Sequence, residues 1–300
     1  MTLKRTIEIA AIGCSGPVAR HFVEGLLEEG ASVRVLARSP ESVEHRLPGA
    51  DVMAGSMKNC SDVERVVAGV DAAFLVTPMG MNNDPALEIE AARFALQGMR
   101  QGKLKHLVYT SCLGVDCECG VGILDAKYHI ERMIKESEIP HSILRCGTYM
   151  EDLFDPRLHL LRKGKFLYPL NKSRRFNFTS QRDVARFIVQ ELVAEGRVLN
   201  AAKDFVTGET YSIADIEILL SRAAGFEIRA TPRFPAFHVY RALLPLFRLR
   251  KHRFSSVIPL LMHFDRYGYM TTSKRSQENQ FAMTDLEQHL LGILGEQAPD

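Results

Sequence analysis

Short apolar runs alternate with helical patterns along the first half of the chain, and this alternation restricts the fold more than any other feature. Strands are predicted at 6–12, 33–37, 51–54, 72–77, 106–111 and 141–144, and helices at 17–29, 61–67, 85–100 and 123–136. Strands that alternate with helices form βαβ units with parallel strands. Runs such as AAFLVT and HLVYTS are apolar throughout, which is typical of strands covered by helices on both faces. The pattern predicts an α/β fold with a Rossmann-type, doubly wound parallel sheet.

The pattern is less regular in the second half. Amphipathic helices are predicted at 183–194 and 212–224, with Ser212 as N-cap of the second, and short strands at 176–179 and 205–207. A chain of 300 residues can form one elaborated domain or a domain with a smaller lobe.

We expect a dinucleotide-binding domain over residues 1–154 and a smaller, mostly helical substrate-binding lobe over residues 155–300, intertwined with the first. Segment 229–264 contains no acidic residue and mixes Phe, Leu, His, Arg and Pro. Three interpretations of this segment are open: a lid over an apolar substrate pocket, a helical cap with a basic outer face, and an amphipathic element at a membrane surface.

Charge and hydropathy exclude several classes of protein. The net charge of +2 is too small for a basic face that binds nucleic acid. No apolar stretch reaches the roughly 20 residues that a membrane-spanning helix needs, because arginines and prolines interrupt the most apolar region. We therefore expect no nucleic-acid partner and no transmembrane segment.

The six cysteines lack the paired spacing of a disulfide framework. Cys112, Cys117 and Cys119 lie close together in the sequence, but a zinc site would need a second pair of ligands. We interpret them as loop thiols and predict no metal site. Reduced thiols favour a cytoplasmic location.

The first strand leads into the sequence GCSGPVA at 13–19, and a helix follows at once. Glycines at this junction permit a tight turn and let the backbone approach a pyrophosphate, which then rests on N–H groups at the helix N-terminus. A GxxG string alone is compatible with a plain turn, but its place between the first strand and a helix matches the dinucleotide-binding fingerprint. The turn predicts an NAD(P) site at Gly13 and Gly16.

The end of the second strand discriminates between the two nicotinamide cofactors. NAD-binding sheets place Asp or Glu there to accept hydrogen bonds from ribose hydroxyls, whereas an Arg accommodates the 2′-phosphate of NADP. The sequence here is VLARSP, with Arg38 and no acid. A solvated arginine is the alternative, but the pattern favours NADP(H) over NAD(H).

Several short motifs occur in an order that resembles the NmrA-like family of atypical short-chain dehydrogenases/reductases. The matching stretches are AIGCSGPVA, VRVLARSPE, GADVMAGSM, GVDAAFLVTP, KHLVYTSCLG, AKYHIERMIKESEIPHSILRCGTYMEDLF, RRFNFTSQRDVARFIVQEL and FVTGETYSIADIEILLS. The likeness extends over nearly the whole chain and is strongest up to Phe154.

The resemblance implies which residues would hold the cofactor. Those implied for the pyrophosphate are Gly13, Ser15, Gly16, Pro17 and Val18. Those implied for the rest of the cofactor are Arg38 at the adenosine phosphate, Thr77 and Pro78 beside the nicotinamide, and Lys127 at the nicotinamide ribose. Those implied to close over the cofactor and begin the substrate pocket are Cys146, Gly147 and Tyr149.

Two departures from the family pattern affect the chemistry. The acid common after the third strand is replaced by GSM at 55–57, which puts one adenine contact in doubt. The short-chain reductase pattern places a catalytic tyrosine four residues before its lysine, on the same helix face, but that position is Ile123. Tyr128, next to Lys127, points about 100° away round the helix.

Hydride transfer is the chemistry of the cofactor itself, so the protein has chiefly to orient the nicotinamide and exclude water. Without the tyrosine, the favoured acceptors are those that need little help from an acid: quinones, conjugated alkenes and iminium-type compounds. Ser111, Lys127 and Tyr149 are the candidate proton donors or orienting groups, with ordinary structural roles as the alternative.

Two functions follow from this pattern. The first is an NAD(P)H-dependent reductase of a small planar organic substrate. The second is a redox sensor or regulator that binds the cofactor and acts through a protein partner without turnover. A homodimer is compatible with either function.

Overall fold

The computed structural model describes residues 6–16, 19–77, 84–153, 161–168, 170–193, 200–232, 242–246, 254–271 and 281–295. The strands are β1 (Glu8–Ile12), β2 (Ser32–Ala37), β3 (Asp51–Ala54), β4 (Ala72–Leu75), β5 (Leu107–Cys112), β6 (His141–Cys146), β7 (Thr148–Tyr149), β8 (Lys165–Tyr168), β9 (Arg175–Thr179), β10 (Ala201–Phe205), β11 (Thr210–Ser212) and β12 (Arg229–Pro232). The helices are α1 (Arg20–Glu28), α2 (Glu41–Glu44), α3 (Cys60–Val67), α4 (Pro85–Gln101), α5 (Gly122–Glu136), α6 (Met150–Leu153), α7 (Gln181–Val193), α8 (Ile213–Ala224), α9 (242–246), α10 (Phe254–Tyr267) and α11 (Leu286–Gly295).

Seven parallel strands form the central sheet, in the order β10-β6-β5-β4-β1-β2-β3. The six strands predicted in the first half are all present, and β10 adds a seventh from the second half. The chain order runs outward from β1 in both directions, with β2 and β3 on one side and β4, β5 and β6 on the other. In such a sheet the ligand crevice lies at the carboxyl ends of the strands where the order reverses, here between β1 and β4.

Helices cover both faces of this sheet, and the side chains of β1 show why. Ile9 and Ala11 point into one apolar cluster, and Ala10 and Ile12 into another, all four fully buried. Successive side chains of a strand point to opposite faces, so a strand covered on both faces is apolar at every position. The Rossmann-type, doubly wound fold predicted from the sequence is confirmed.

Helix α7 and strand β10, both from the second half of the chain, pack against the helices and strands of the first half. Helix α7 packs on α1, where a Cβ on Gly25 would lie 2.8 Å from the Cβ of Ala185. Strand β10 pairs with β6 and lies earlier in the chain than the predicted strand at 205–207. Its sequence, AAKDF, contains two charged residues, so apolar runs do not predict it as a strand. A division of the chain at residue 154 stays a prediction.

The second half also builds two small sheets, β11-β9-β7 and β12-β8, around a third apolar cluster. Ser212 is the N-cap of α8, as predicted, and its hydroxyl accepts a hydrogen bond from the N–H of Asp215 at 3.1 Å. The Asp215 carboxylate in turn accepts a hydrogen bond from the Ser212 N–H at 2.8 Å. This reciprocal capping box fixes the start of the helix.

Much of segment 229–264 lies outside the described residues. Its described parts are β12, α9 and residues 254–264 of α10. Leu243 and Leu246 of α9 are exposed, whereas Leu260 of α10 is buried against Ile123 of α5. The three interpretations of the segment stay predictions. Within the described ranges, no helix has both the length and the apolar character needed to cross a membrane.

Candidate functional site

The glycine turn at the end of β1 begins with a residue that packing requires to be glycine. Gly13 has a φ of +81°, a conformation that disfavours side chains. A Cβ on Gly13 would collide with the carbonyl oxygen of Val76, just past β4. The N–H of Val76 also donates to the carbonyl of Ile12 at 2.9 Å. The close approach of β4 therefore explains this glycine without reference to a ligand.

Gly16 has no such explanation among the described residues. A Cβ there would meet no atom within 4 Å, and its φ lies outside the region that favours glycine. Open space above a glycine backbone is what the approach of a pyrophosphate needs. The N-cap of α1 is Ala19, which makes no side-chain cap hydrogen bond and so does not compete with a phosphate for the first N–H groups. Pro17 and Val18 lie outside the described residues.

Two arginines lie near this turn, although the sequence pattern indicated only one. Arg38 directly follows β2, is exposed, and makes no hydrogen bond or ion pair with another described residue. Arg46 donates through Nη2 to the carbonyl of Ser15 at 3.4 Å and through Nε to the carbonyl of Ser42 at 2.8 Å. Ser15 is half-buried. The Arg46 contact joins residues 31 apart, and no local motif marks it.

A carboxylate does lie at the end of β3, although no acid follows that strand in the sequence. Asp62, from α3, accepts a hydrogen bond from the N–H of Ser56 at 3.0 Å. A Cβ on Gly55 would lie 2.9 Å from the Asp62 side chain. Asp62 also pairs with Arg65 at 3.3 Å. The helix thus supplies the acid that the strand end lacks.

Lys127 lies on the buried side of α5, and each of its three ammonium hydrogens has an acceptor in the protein. Nζ donates to the Thr77 carbonyl at 2.9 Å, to Thr77 Oγ1 at 2.7 Å and to Glu88 Oε1 at 2.9 Å. Thr77 Oγ1 donates to Glu88 Oε1 at 2.8 Å and lies 3.1 Å from the Tyr109 hydroxyl. Lys127 is 3% exposed and Glu88 0%. Thr77, Glu88, Tyr109 and Lys127 are together termed the lysine cluster.

The charges of the lysine cluster are set by burial and by contact. Burial is the largest single effect and would lower the pKa of Lys127, but the neighbouring acidic groups, Glu88 first among them and then Tyr109 and Cys112, together outweigh it, so the pKa is raised. Burial raises the pKa of Tyr109, although the Lys127 charge partly opposes this. At neutral pH Lys127 is therefore charged and Tyr109 is neutral, and neither group serves as a general base.

The structure joins two residues of the predicted site, Thr77 and Lys127, in direct hydrogen bonds. The Lys127 donors are directed at Thr77 and Glu88, and its predicted contact with a nicotinamide ribose stays a prediction. Sequence reasoning missed Glu88 and Tyr109. A signal for Glu88 exists, because it stands on the apolar stripe of α4. The other buried residues of that stripe are Ala91, Ala92, Ala95, Leu96 and Met99.

Ser111 lies at the same end of the sheet, in β5. It is 3% exposed, and its hydroxyl has no hydrogen-bond partner among the described residues. A buried hydroxyl without a partner costs about 1–3 kcal/mol. Such a group is typical of a site that a ligand or a water completes.

Cys146 and Gly147, at the end of β6, are engaged in packing. Cys146 is buried, and its carbonyl accepts a hydrogen bond from the Tyr269 hydroxyl at 2.9 Å. The N–H of Gly147 donates to Thr179 Oγ1 at 3.0 Å, and a Cβ on Gly147 would collide with the Asn177 carbonyl. Packing against the second half of the chain therefore explains the glycine at 147, and the predicted roles of both residues at the cofactor stay predictions.

Tyr149 is packed edge-on against Phe22 of α1, with 5.4 Å between ring centroids. Burial raises the pKa of its hydroxyl well above the ordinary value, and the neighbouring Cys146 adds to the increase. Tyr149 is therefore a neutral phenol at neutral pH, with its ring against α1. Its predicted part in proton transfer stays a prediction.

No tyrosine hydroxyl occupies the usual catalytic position on α5. Ile123 is buried there, against Leu124 and Leu260. Tyr128 is half-buried, and its ring contacts His129 at a centroid distance of 5.5 Å. Of the described residues on α5, neither Ile123 nor Tyr128 therefore places a hydroxyl at that position.

The cysteines and Pro78 are the remaining residues that the sequence analysis considered. The six cysteines are free thiols, with Cys117 and Cys119 exposed. In the part of the chain that the structure describes, no three potential metal ligands converge. Pro78 lies outside the described residues. The cytoplasmic location stays a prediction.

Comparison with known proteins now identifies the family. The sequence model of the NmrA-like family matches residues 5–287. The chain belongs to the NmrA-like family. This confirms the resemblance drawn from the short motifs.

Two relatives and one solved structure illustrate the likeness. The (4-alkanoyl-5-oxo-2,5-dihydrofuran-3-yl)methyl phosphate reductase of Streptomyces griseus is 32% identical over 145 residues, which are 48% of this chain and 49% of that protein. The NAD(P)H azoreductase of Xenophilus azovorans is 23% identical over 222 residues, 74% of this chain and 75% of that protein. The triphenylmethane reductase of Citrobacter sp., complexed with NADP(H), matches with a TM-score of 0.74 and 17% identity, over 96% of this chain and 100% of that one. The match to the first relative spans only about half the length of either protein, and the structural match shows the fold alone.

Proposed function

We propose that this NmrA-like chain is an NADPH-dependent reductase that transfers hydride to a small planar acceptor, with quinones as the representative class. The observation that carries the proposal is the open backbone at Gly16. This glycine lies where β1 leads into α1, and no packing contact among the described residues requires it. Membership of the NmrA-like family supports a nicotinamide dinucleotide as the ligand.

The strand order supports one orientation of the cofactor. With the pyrophosphate at the glycine turn, the adenosine half extends over β2 towards Arg38, whose guanidinium has no partner among the described residues. The nicotinamide half then extends to the other side of β1, over the ends of β4 and β5, where Thr77 and Ser111 lie. When bound, the nicotinamide supplies a hydride to the acceptor. Arg38 pairs with the 2′-phosphate, which favours NADPH over NADH.

The polar groups near β4 and β5 suit an acceptor that needs little acid catalysis. Lys127 is held as a charged donor to Thr77 and Glu88, and Ile123 has no proton to give. A quinone takes one hydride from NADPH and one proton from solvent to form the hydroquinone. Because the hydroquinone anion is stable, this proton need not come from a strong acid in the protein. Conjugated alkenes and iminium-type acceptors share this property.

The test is steady-state oxidation of NADPH with benzoquinone, naphthoquinone, an azo dye and an unactivated ketone as acceptors. We expect quinone-dependent turnover that is abolished in Gly16→Val, with little or no reduction of the ketone. Binding of NADPH without turnover on any of the four acceptors would contradict the proposed reductase activity. It would favour a redox sensor that acts through a protein partner.

A further inference from the structure

The lysine cluster contains a carboxylate that no local motif marks. We propose that Glu88 is a positioning residue, which holds the carboxyl end of β4 in the place that receives the nicotinamide ring and acts through Lys127 and Thr77. The inference rests on the proposed function, because it concerns the same cofactor site.

The end of β4 lies directly against the glycine turn. Val76 donates to the carbonyl of Ile12, and its own carbonyl leaves no room for a side chain on Gly13. Thr77 is the next residue. A dinucleotide whose pyrophosphate lies on this turn therefore extends its nicotinamide half past the backbone of Thr77. A shift of Thr77 by a fraction of an ångström changes the surface that the ring meets.

Lys127 holds Thr77 by both its backbone and its side chain. The ammonium donates to the Thr77 carbonyl at 2.9 Å and to Oγ1 at 2.7 Å. Its third hydrogen goes to Glu88, and Thr77 Oγ1 donates to the same carboxylate oxygen at 2.8 Å. The three side chains thus form a closed hydrogen-bonded ring. Each member fixes the direction of the other two.

Glu88 supplies the counter-charge that allows the Lys127 ammonium of this ring to be buried. A buried ammonium without a counter-charge is strongly disfavoured, and it turns towards solvent or loses its proton. Glu88 lies on α4, is fully buried, and places its carboxylate 2.9 Å from the ammonium. Removal of this charge releases Lys127 from Thr77. The effect is confined to the nicotinamide side, because neither Arg38 nor Gly16 contacts this ring in the described part of the chain.

The experiment compares two ligands that differ only by the nicotinamide. NADPH and 2′-phospho-ADP-ribose, which lacks the nicotinamide base, are titrated calorimetrically against the wild type and Glu88→Gln. We expect the ratio of their affinities to fall at least about tenfold in Glu88→Gln, about 1.4 kcal/mol, with the affinity for 2′-phospho-ADP-ribose unchanged. The matched control is Glu131→Gln. Glu131 is equally buried, lies on α5, and accepts two hydrogen bonds from Arg145 at 2.9 and 2.8 Å.

Glu131→Gln removes a buried carboxylate without touching Thr77, so the affinity ratio should stay at the wild-type value. If Glu88→Gln fails to fold, the double variant Glu88→Leu/Lys127→Met removes both charges and keeps similar volumes. It should fold and show the same fall in the ratio. The positioning role is wrong if a folded Glu88 variant keeps the wild-type ratio of the two affinities. It is also wrong if the variant binds both ligands more weakly by the same factor. A wild type that binds neither ligand refutes the proposed function itself.

Discussion

A Cβ atom on Gly13 would collide with the carbonyl oxygen of Val76, so the glycine turn and the end of β4 meet backbone to backbone. Three residues later, a Cβ on Gly16 would meet no atom within 4 Å. The two positions of this motif are therefore glycine for different physical reasons. Gly13 permits the packing of β4 on β1, whereas Gly16 leaves space that the described residues do not fill.

The two glycines should respond differently to substitution. Gly16→Val should leave the thermal unfolding transition nearly unchanged and abolish NADPH binding, because the new side chain occupies the space of the pyrophosphate. Gly13→Ala should lower the free energy of unfolding by at least about 2 kcal/mol, since it combines a positive φ with overpacking. Calorimetry and NADPH titration on both variants check this. Full-affinity binding by Gly16→Val would mean that the cofactor binds elsewhere.

Arg38 should determine the preference between the two nicotinamide cofactors. Arg38→Ala should weaken NADPH binding by about 1.5–3 kcal/mol, roughly 10- to 150-fold, the range for a hydrogen bond to a charged group. NADH binding should change little. Arg132→Ala is the control, because Arg132 is an exposed arginine of α5 that pairs only with the exposed Glu136 within the described part. Equal affinity of the wild type for NADPH and NADH would contradict the assignment.

Lys127 should support cofactor placement and not proton transfer. Lys127→Ala removes the buried cation beside the Glu88 carboxylate, and breaking a buried ion pair typically costs about 3–5 kcal/mol of stability. It should also weaken NADPH binding and slow quinone reduction. The pH dependence of turnover should keep its shape, because the raised pKa of Lys127 lies far above neutral pH. A lost or displaced limb of the pH profile would show instead that Lys127 transfers a proton.

His106 should make stability depend on pH. Burial, and then the neighbouring His141, lower the pKa of His106 from 6.5 to about 4, and its Nε2 lies 3.0 Å from Ser142 Oγ. His106 therefore binds a proton less readily in the folded protein than in the unfolded chain. The contribution is complete above about pH 6.5 and is lost as the pH falls through about 4, by about 3 kcal/mol in all.

Urea unfolding near pH 7 and near pH 4.5 measures this contribution. His106→Gln should lose about 2–3 kcal/mol less than the wild type between the two conditions. His45→Gln, at an exposed site, is the control and should behave as the wild type. Equal losses in all three proteins would mean that His106 takes up its proton in the folded state as readily as in the unfolded chain.

The sequence by itself determined the pattern of strands and helices in the first half. Apolar runs and helical periodicity are local properties, and a strand covered on both faces is apolar whatever it pairs with. The strand-turn-helix at Gly13 and Gly16 and the arginine after β2 are local as well. These features predict where the cofactor binds, and the spacing from Ile123 to Lys127 showed that the usual tyrosine is missing.

Only the tertiary structure decided which side chains meet at the site. The Thr77–Lys127 contact joins residues 50 apart, and the contact of Thr77 with Glu88 depends on how α4 packs beside β4. Packing also showed that Gly13 and Gly147 are glycines because backbone lies where their side chains would be. The physical reason is that a periodic pattern specifies which face of an element is buried. The partner on that face is set by the packing of elements that are distant in the chain.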